Sequence, residues 1–95
     1  MSKQSYKSHE KTSEENRVNK IVGLNIRDQR RKRKWTQTQL AEKLGITFQQ
    51  IGKYEKGKNG LNVTRLLEIS NQFNVPIDKI LKYEESDAEI IMKLP

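Results

Sequence analysis

The segment that most restricts the fold of this chain is residues 36–57, TQTQLAEKLGITFQQIGKYEKG. Apolar residues recur in it at helical spacing on both sides of Gly45, and glycine is the residue type that most readily ends a helix in the left-handed conformation. Thr36 and Thr47 each precede one of the apolar runs, in the position of an N-terminal cap. The pattern predicts two short helices joined by a tight glycine turn.

The second of these helices has a polar outer face. Ile51 and Tyr54 are spaced so that both point inward. The opposite face carries the remaining positions, which are Phe48, Gln49, Gly52, Lys53 and Lys56. Glutamine can form two hydrogen bonds with the edge of an adenine, and a helix braced by a partner helix fits the major groove of DNA. The segment therefore indicates a helix-turn-helix suited to double-stranded DNA.

The positive charge of the chain is concentrated around this segment. The net charge is +7 overall, and residues 20–65 carry twelve basic and three acidic side chains, a balance of +9. Residues 1–19 carry four and three, giving +1, whereas residues 66–95 carry three and six, giving −3. A merely solvated surface does not explain this separation, but a phosphate-binding surface requires it.

Apolar periodicity predicts three more helices, so the expected fold class is all-α. The first runs from about residue 18 to 34, and its buried stripe is Ile21, Val22 and Ile26. The fourth spans about 63–74, and its predicted buried residues are Leu66, Leu67, Ile69, Ser70 and Phe73. The fifth is short and ends at Leu81. Its start is placed at Pro76 because proline favours the first turn of a helix.

These helices define one domain, which we place at residues 18–82. Residues 1–17 are polar and lack apolar periodicity, so we expect a disordered or weakly ordered tail. Residues 83–95 are acidic and then apolar, and we expect a C-terminal extension that belongs to no element of the domain. Its consecutive residues Ile90, Ile91 and Met92 are candidates for a contact between subunits, the alternative being the exposed edges of the fourth and fifth helices.

Composition argues against several other classes of protein. The chain has no cysteine, and His9, its single histidine, lies in the polar tail without neighbouring metal ligands. No paired carboxylates and no phosphate-binding glycine loop occur, so we expect neither an enzyme nor a cofactor, a metal or a small-molecule ligand. No signal peptide and no apolar run of membrane-spanning length is present, so we expect a cytoplasmic protein without a membrane partner.

The chain also carries motifs of a known family. They are V-G-L-N-I-R from Val22, Q-T-Q-L-A from Gln37, L-G-I-T from Leu44, Y-E-K-G from Tyr54, N-G-L-N from Asn59 and V-P-I-D from Val75. Over about residues 21–82 the sequence resembles the lambda-repressor-like, Cro/repressor-type helix-turn-helix family, also called the XRE family. The resemblance implies a compact five-helix bundle in which helix two crosses the DNA backbone and helix three enters the major groove.

Members of that family are mostly bacterial or phage transcription regulators that bind palindromic operators as dimers. The resemblance therefore implies a homodimeric, nucleoid-associated regulator, by preference a repressor, that acts on double-stranded DNA. Two other functions stay open from the sequence. One is an antitoxin or controller protein of a two-gene module, and the other is an adaptor that uses the same bundle to contact proteins. A steep loss of affinity with salt would distinguish DNA binding from the adaptor function.

The resemblance also implies roles for individual residues. Gln37, at the start of helix two, is expected to contact phosphate. The residues expected to contact bases are Phe48, Gln49 and Lys53. Thr47 caps helix three and is expected at the same surface. The residues expected near the sugar-phosphate backbone are Gln50, Lys56, Asn59 and Asn62. Arg30 and Glu55 are expected to form a partly buried ion pair that links helix one to helix three.

Several positions depart from the family pattern. Phe48 replaces a glutamine, so we expect it to contact a thymine methyl group, the alternative being a core residue folded onto helix two. Gly52 lies inside the recognition helix, where it costs about 1 kcal/mol of helix propensity relative to alanine and leaves room for a close approach to DNA. Gln29 replaces a buried leucine, Lys34 replaces a glycine, and Trp35 occupies an aliphatic core position, where we expect it to pack.

The basic run at residues 30–34 has a second interpretation. Five consecutive arginines and lysines are also typical of nuclear-localisation and RNA-binding patches. On a helix, however, consecutive side chains point in different directions around the axis. We therefore expect Arg30 to face Glu55 while its neighbours are solvated or lie near phosphate.

Overall fold

A computed structural model of the chain describes residues 12–82. Its helices, numbered here in chain order, are α1 (Ser13–Lys32), α2 (Gln37–Leu44), α3 (Phe48–Glu55), α4 (Val63–Phe73) and α5 (Asp78–Leu81). No strand occurs between residues 12 and 82. The predicted all-α, five-helix bundle is confirmed. The rest of the predicted tail, residues 1–11, and the predicted extension, residues 83–95, lie outside the described residues.

Helix α1 begins five residues before the predicted start at Val18, which is therefore wrong. Thr12 caps the helix, because its hydroxyl accepts a hydrogen bond from the Glu15 backbone at 3.0 Å and the Glu15 carboxylate accepts one from the Thr12 backbone at 2.8 Å. This reciprocal capping box needs no apolar residue, so apolar periodicity could not detect it. The helix also ends two residues before the predicted end, and Lys34 then has a left-handed backbone with φ 59°.

The two helices of the central segment are capped as the sequence predicts. The Thr36 hydroxyl accepts from the Gln39 backbone at 3.0 Å, and the Thr47 hydroxyl accepts from the Gln50 backbone at 3.2 Å. Gly45 ends α2 with a φ of 71°. These caps satisfy backbone N–H groups that have no partner inside the helix, so they fix where each helix starts.

One core holds the helices together. Its buried residues are Val22, Ile26, Leu40, Ala41, Ile51, Tyr54, Ile69, Phe73 and Ile80. The predicted stripe on α1 is buried, but Leu67 on α4 is 47% exposed, so its assignment to the core is wrong. Leu67 lies about 140° around the helix from the face that carries Ile69 and Phe73. Leu66 is partly buried against the core, as its position on that face predicts.

Polar and aromatic side chains close the end of the core next to α4. Trp35 packs as predicted, and its ring stacks on Phe73 with the ring centroids 5.7 Å apart. Arg33 lies over the Phe73 ring at 4.9 Å and donates hydrogen bonds to the Phe73 carbonyl and, at 2.9 Å, to the Gln29 side chain. Gln29 is buried, and this hydrogen bond compensates the burial of its amide oxygen.

Helices α1 and α3 approach each other so closely that one position must be glycine. A Cβ atom at Gly23 would lie 2.3 Å from the Tyr54 carbonyl oxygen and 2.7 Å from that of Glu55. Farther along α1, the Asn25 side chain donates to the carbonyls of Ile80 and Lys82 at 2.8 and 3.0 Å, which holds α5 against α1. Helix α1 is therefore the element against which both α3 and α5 are positioned.

The two helical glycines should respond oppositely to alanine. Gly23→Ala should destabilise the fold by about 1–3 kcal/mol, because the added Cβ meets rigid backbone. Gly52→Ala should stabilise it by about 1 kcal/mol, because the nearest atoms to a Cβ there are 3.9 Å away and the helix gains propensity. Urea unfolding of both variants measures the difference. If Gly23→Ala stabilised the fold as Gly52→Ala does, the close backbone contact between α1 and α3 at Gly23 would be contradicted.

Candidate nucleic-acid interface

The two faces of α3 differ in exposure. Its inner face is buried, with Ile51 and Tyr54 0% and 6% exposed. On the outer face Phe48 is 49% exposed, so the alternative that it packs into the core is wrong. Gln49 and Lys53 are exposed one helical turn apart and therefore lie side by side on this face. The helix thus presents one apolar, one amide and one cationic side chain to solvent.

Thr47 and Gln50 lie at the N-terminal end of α3. The exposed Thr47 caps the helix, because its hydroxyl accepts a hydrogen bond from the backbone N–H of the half-buried Gln50. The Gln50 side chain flanks the outer face at its edge. Both residues therefore lie at the rim of the surface that Phe48 and Gln49 occupy.

A hydrogen-bonded ion pair ties α3 to α1. Arg30 Nε donates to Glu55 Oε2 at 2.6 Å and Arg30 Nη2 donates to Oε1 at 3.0 Å, so the contact is bidentate. The side chains are only 11% and 4% exposed. Arg30 also donates to the Trp35 carbonyl at 2.8 Å. The hydrogen bonds that Arg30 donates to Glu55 raise the pKa of Arg30 above its ordinary value, which favours the charged guanidinium.

Gln37 joins this ion pair to α2. Its side-chain Nε2 donates to Glu55 Oε1 at 3.1 Å, and the residue is half-buried. Gly52 lies opposite, because a Cβ there would be 3.9 Å from both polar atoms of the Gln37 amide. From the sequence we expect the space at Gly52 to admit DNA. In the structure this space lies at the junction of α2 and α3, next to the Gln37 amide. The hydrogen bond to Glu55 fixes the orientation of the Gln37 side chain.

The two asparagines of the loop after α3 have different surroundings. Asn62 is exposed and caps α4, because its side-chain oxygen accepts from the Arg65 backbone at 2.8 Å. The N–H₂ group of the Asn62 amide then remains the part that can donate to a ligand. Asn59 is half-buried in the same loop, and Lys56 is exposed just beyond the end of α3.

A shallow basic depression adjoins this surface. It has a volume of about 250 Å³ and is lined by Arg27, Arg30, Arg31, Gln37, Glu55 and Lys56. From the sequence, Arg27, the last residue of the V-G-L-N-I-R motif, is given no role, and Arg31 is named only within the basic run. The available signal was their spacing of four residues, which places both on the face of α1 that also carries Arg30.

Between residues 12 and 82 there is no group of three or more metal-ligating side chains, and no helix long and apolar enough to span a membrane. The exposed side chains of α3 offer an amide, a cation and an aromatic ring, which can bind a ligand through hydrogen bonds, charge and apolar contact.

A helix-turn-helix family model matches residues 26–80, more than half of the chain. The chain belongs to this family, and its resemblance to lambda-repressor-like, XRE-type proteins is confirmed. An uncharacterised helix-turn-helix transcriptional regulator of Sinorhizobium medicae is 52% identical over 56 residues, which are 59% of this chain and 40% of that protein. An uncharacterised transcriptional regulator of Rhodospirillum rubrum is 40% identical over 72 residues, 76% of this chain and 63% of that protein.

Solved structures agree on the fold. The DNA-binding domain of BldD is 26% identical, with a TM-score of 0.64 over 75% of this chain and 99% of that domain. The restriction-modification controller protein C.AhdI from Aeromonas hydrophila is 17% identical, with a TM-score of 0.65 over 68% of this chain and 94% of that one. The chain spans about two fifths of the length of the Sinorhizobium medicae relative. It carries the kind of helical domain that transcriptional regulators contain.

Removing one partner of the Arg30–Glu55 pair should destabilise the fold by about 3–5 kcal/mol, because the surviving charge stays buried without a partner. The double variant Arg30→Ala/Glu55→Ala should lose less than the sum of the two single losses. The exposed Asp28–Lys32 pair, whose charged atoms are 3.5 Å apart, is the control and should show a coupling of about 0.5 kcal/mol or less. Urea unfolding of both cycles measures the two couplings. Strict additivity at Arg30 and Glu55 would contradict a structural role.

Proposed function

We propose that this protein is a sequence-specific DNA-binding transcriptional regulator, by preference a repressor, that acts as a homodimer on a palindromic operator. The observation that carries the proposal is the division of α3 into a buried face and an exposed face that holds Gln49 and Lys53. A helix held this firmly keeps its outer side chains at fixed positions, as contact with base edges requires. The location that we propose for such a regulator is the bacterial cytoplasm.

Base contacts are proposed for the exposed face of α3. Gln49 can donate to and accept from adenine, and Lys53 can donate to guanine acceptors. Phe48, half exposed at the first position of the helix, suits the methyl group of a thymine. Thr47 precedes these residues at the edge of the same contact.

Backbone contacts are proposed for residues on either side of α3. Gln37 lies at the N-terminus of α2, where unpaired N–H groups and the helix dipole favour an anion. Lys56 follows the end of α3, and Asn59 and Asn62 lie in the next loop. Gln50 completes the rim. Contacts on both sides would fix the register of α3 in the groove without selecting a sequence.

The first test is the substitution Gln49→Ala. A binding sequence is first selected from a random DNA pool. The variant should then lose about 1–3 kcal/mol of binding free energy on the selected duplex, with little loss on a scrambled duplex, and should relax preference at one base pair. Titrations followed by fluorescence anisotropy measure both. Gln72→Ala removes an exposed glutamine of α4 and is the control. Equal losses on both duplexes would place Gln49 at the phosphate backbone instead.

The second test concerns the number of subunits. One recognition helix covers only a few base pairs, whereas two related by a two-fold axis contact half-sites about 34 Å apart. The selected sequence should therefore be a palindrome with half-sites one helical turn apart, and sedimentation should show two chains per duplex. Removing residues 84–95 tests whether the apolar end of the chain contributes. A non-repeating selected site bound by one chain would exclude the dimer.

A further inference from the structure

The basic depression beside α3 contains more positive charge than the fold uses. Four of its lining residues are cationic and one is anionic, which leaves a balance of +3. Arg30 and Glu55 neutralise each other through the ion pair at 2.6 Å. The remaining charge belongs to Arg27, Arg31 and Lys56, all of them exposed.

These three cations have no carboxylate partner among residues 12–82. The ion pairs of that region involve other basic residues, namely Arg17, Arg30, Lys32 and Arg65. Lys32 shows the contrast, because it lies next to Arg31 in the sequence yet pairs with Asp28 at 3.5 Å. Like charges that line one depression repel each other, and an anion bound among them would remove that repulsion.

The surroundings favour an anion with several oxygen atoms. Arg27 and Arg31 lie one turn apart on α1, so both guanidinium groups approach the depression from the same side. Lys56 approaches from the end of α3, and Gln37 places the positive end of α2 at the margin. Planar guanidinium groups match the geometry of phosphate oxygens.

We propose that this depression binds one phosphate of the DNA backbone through Arg27, Arg31 and Lys56. The DNA-binding surface then extends from the helix-turn-helix onto the last turns of α1. The inference rests on the proposed function, and it adds Arg27 and Arg31 of α1 to the backbone contact already proposed for Lys56. A duplex whose major groove holds the outer face of α3 must pass its sugar-phosphate backbone beside the ends of that helix.

The test combines protein variants with single neutral phosphate replacements in the DNA. Arg31→Gln should weaken binding equally on the selected and scrambled duplexes. The negative slope of log affinity against log salt should become shallower by about one. Replacing backbone phosphates one at a time by neutral methylphosphonates should identify one linkage whose loss weakens the unmodified protein but not Arg31→Gln. Arg27→Gln should show coupling to the same linkage.

Lys32→Gln is the matched control, because it removes the same charge one residue away but outside the depression. It should change the salt slope less and should show no coupling to that linkage. Since Arg31 makes no ion pair, the melting temperature of Arg31→Gln should equal that of the unmodified protein. Two results would overturn the depression as a phosphate site. One is an equal loss of binding free energy for Arg31→Gln and Lys32→Gln, and the other is a loss for Arg31→Gln that adds independently to the loss from every neutral linkage. Neither result would change the expected effect of Gln49→Ala. Salt-independent binding by the unmodified protein would instead overturn the proposed function itself.

Discussion

The carboxylate of Glu55 is the group on which the arrangement of three helices depends. It lies at the last residue of α3, accepts two hydrogen bonds from Arg30 of α1 and accepts a third from Gln37 of α2. A carboxylate this deeply buried is tolerated only when its hydrogen-bonding capacity is met. Among residues 12–82, no buried side-chain nitrogen or oxygen lacks a partner. The ion pair therefore contributes orientation as well as stability, since any rotation of α3 would leave a buried charge unpaired.

The close approach at Gly23 brings the backbones together so that the ion pair can form. Because no Cβ intervenes, α1 lies directly against the carbonyl groups of Tyr54 and Glu55. The apolar contacts of Ile26 and Ile51, each 0% exposed, then continue the same interface into the core. With its inner face fixed in this way, α3 holds the exposed side chains of Gln49 and Lys53 on its outer face.

Much of the fold could be predicted because its signals are local. Thr36, Gly45 and Thr47 mark helix ends through hydrogen bonds that span three or four residues, and these follow from residue type alone. Two predictions are wrong because each rests on a single signal. The predicted start of α1 is its first apolar residue, whereas the capping box of Thr12 and Glu15 needs no apolar residue. The hydrophobicity of Leu67 predicts burial, whereas its position around the helix leaves it exposed.

The candidate surface was predicted in its parts but not in its connections. Residue type and spacing alone determined that Gln49 and Lys53 share the outer face of α3, because helical geometry fixes which residues are neighbours. Only the tertiary structure decided that Gln37 donates to Glu55 and that Arg27 and Arg31 line one depression with Lys56. These residues come from different helices, and their distances depend on how closely the helices pack. Packing distance is set by the whole core and by the room at Gly23, which no local pattern encodes.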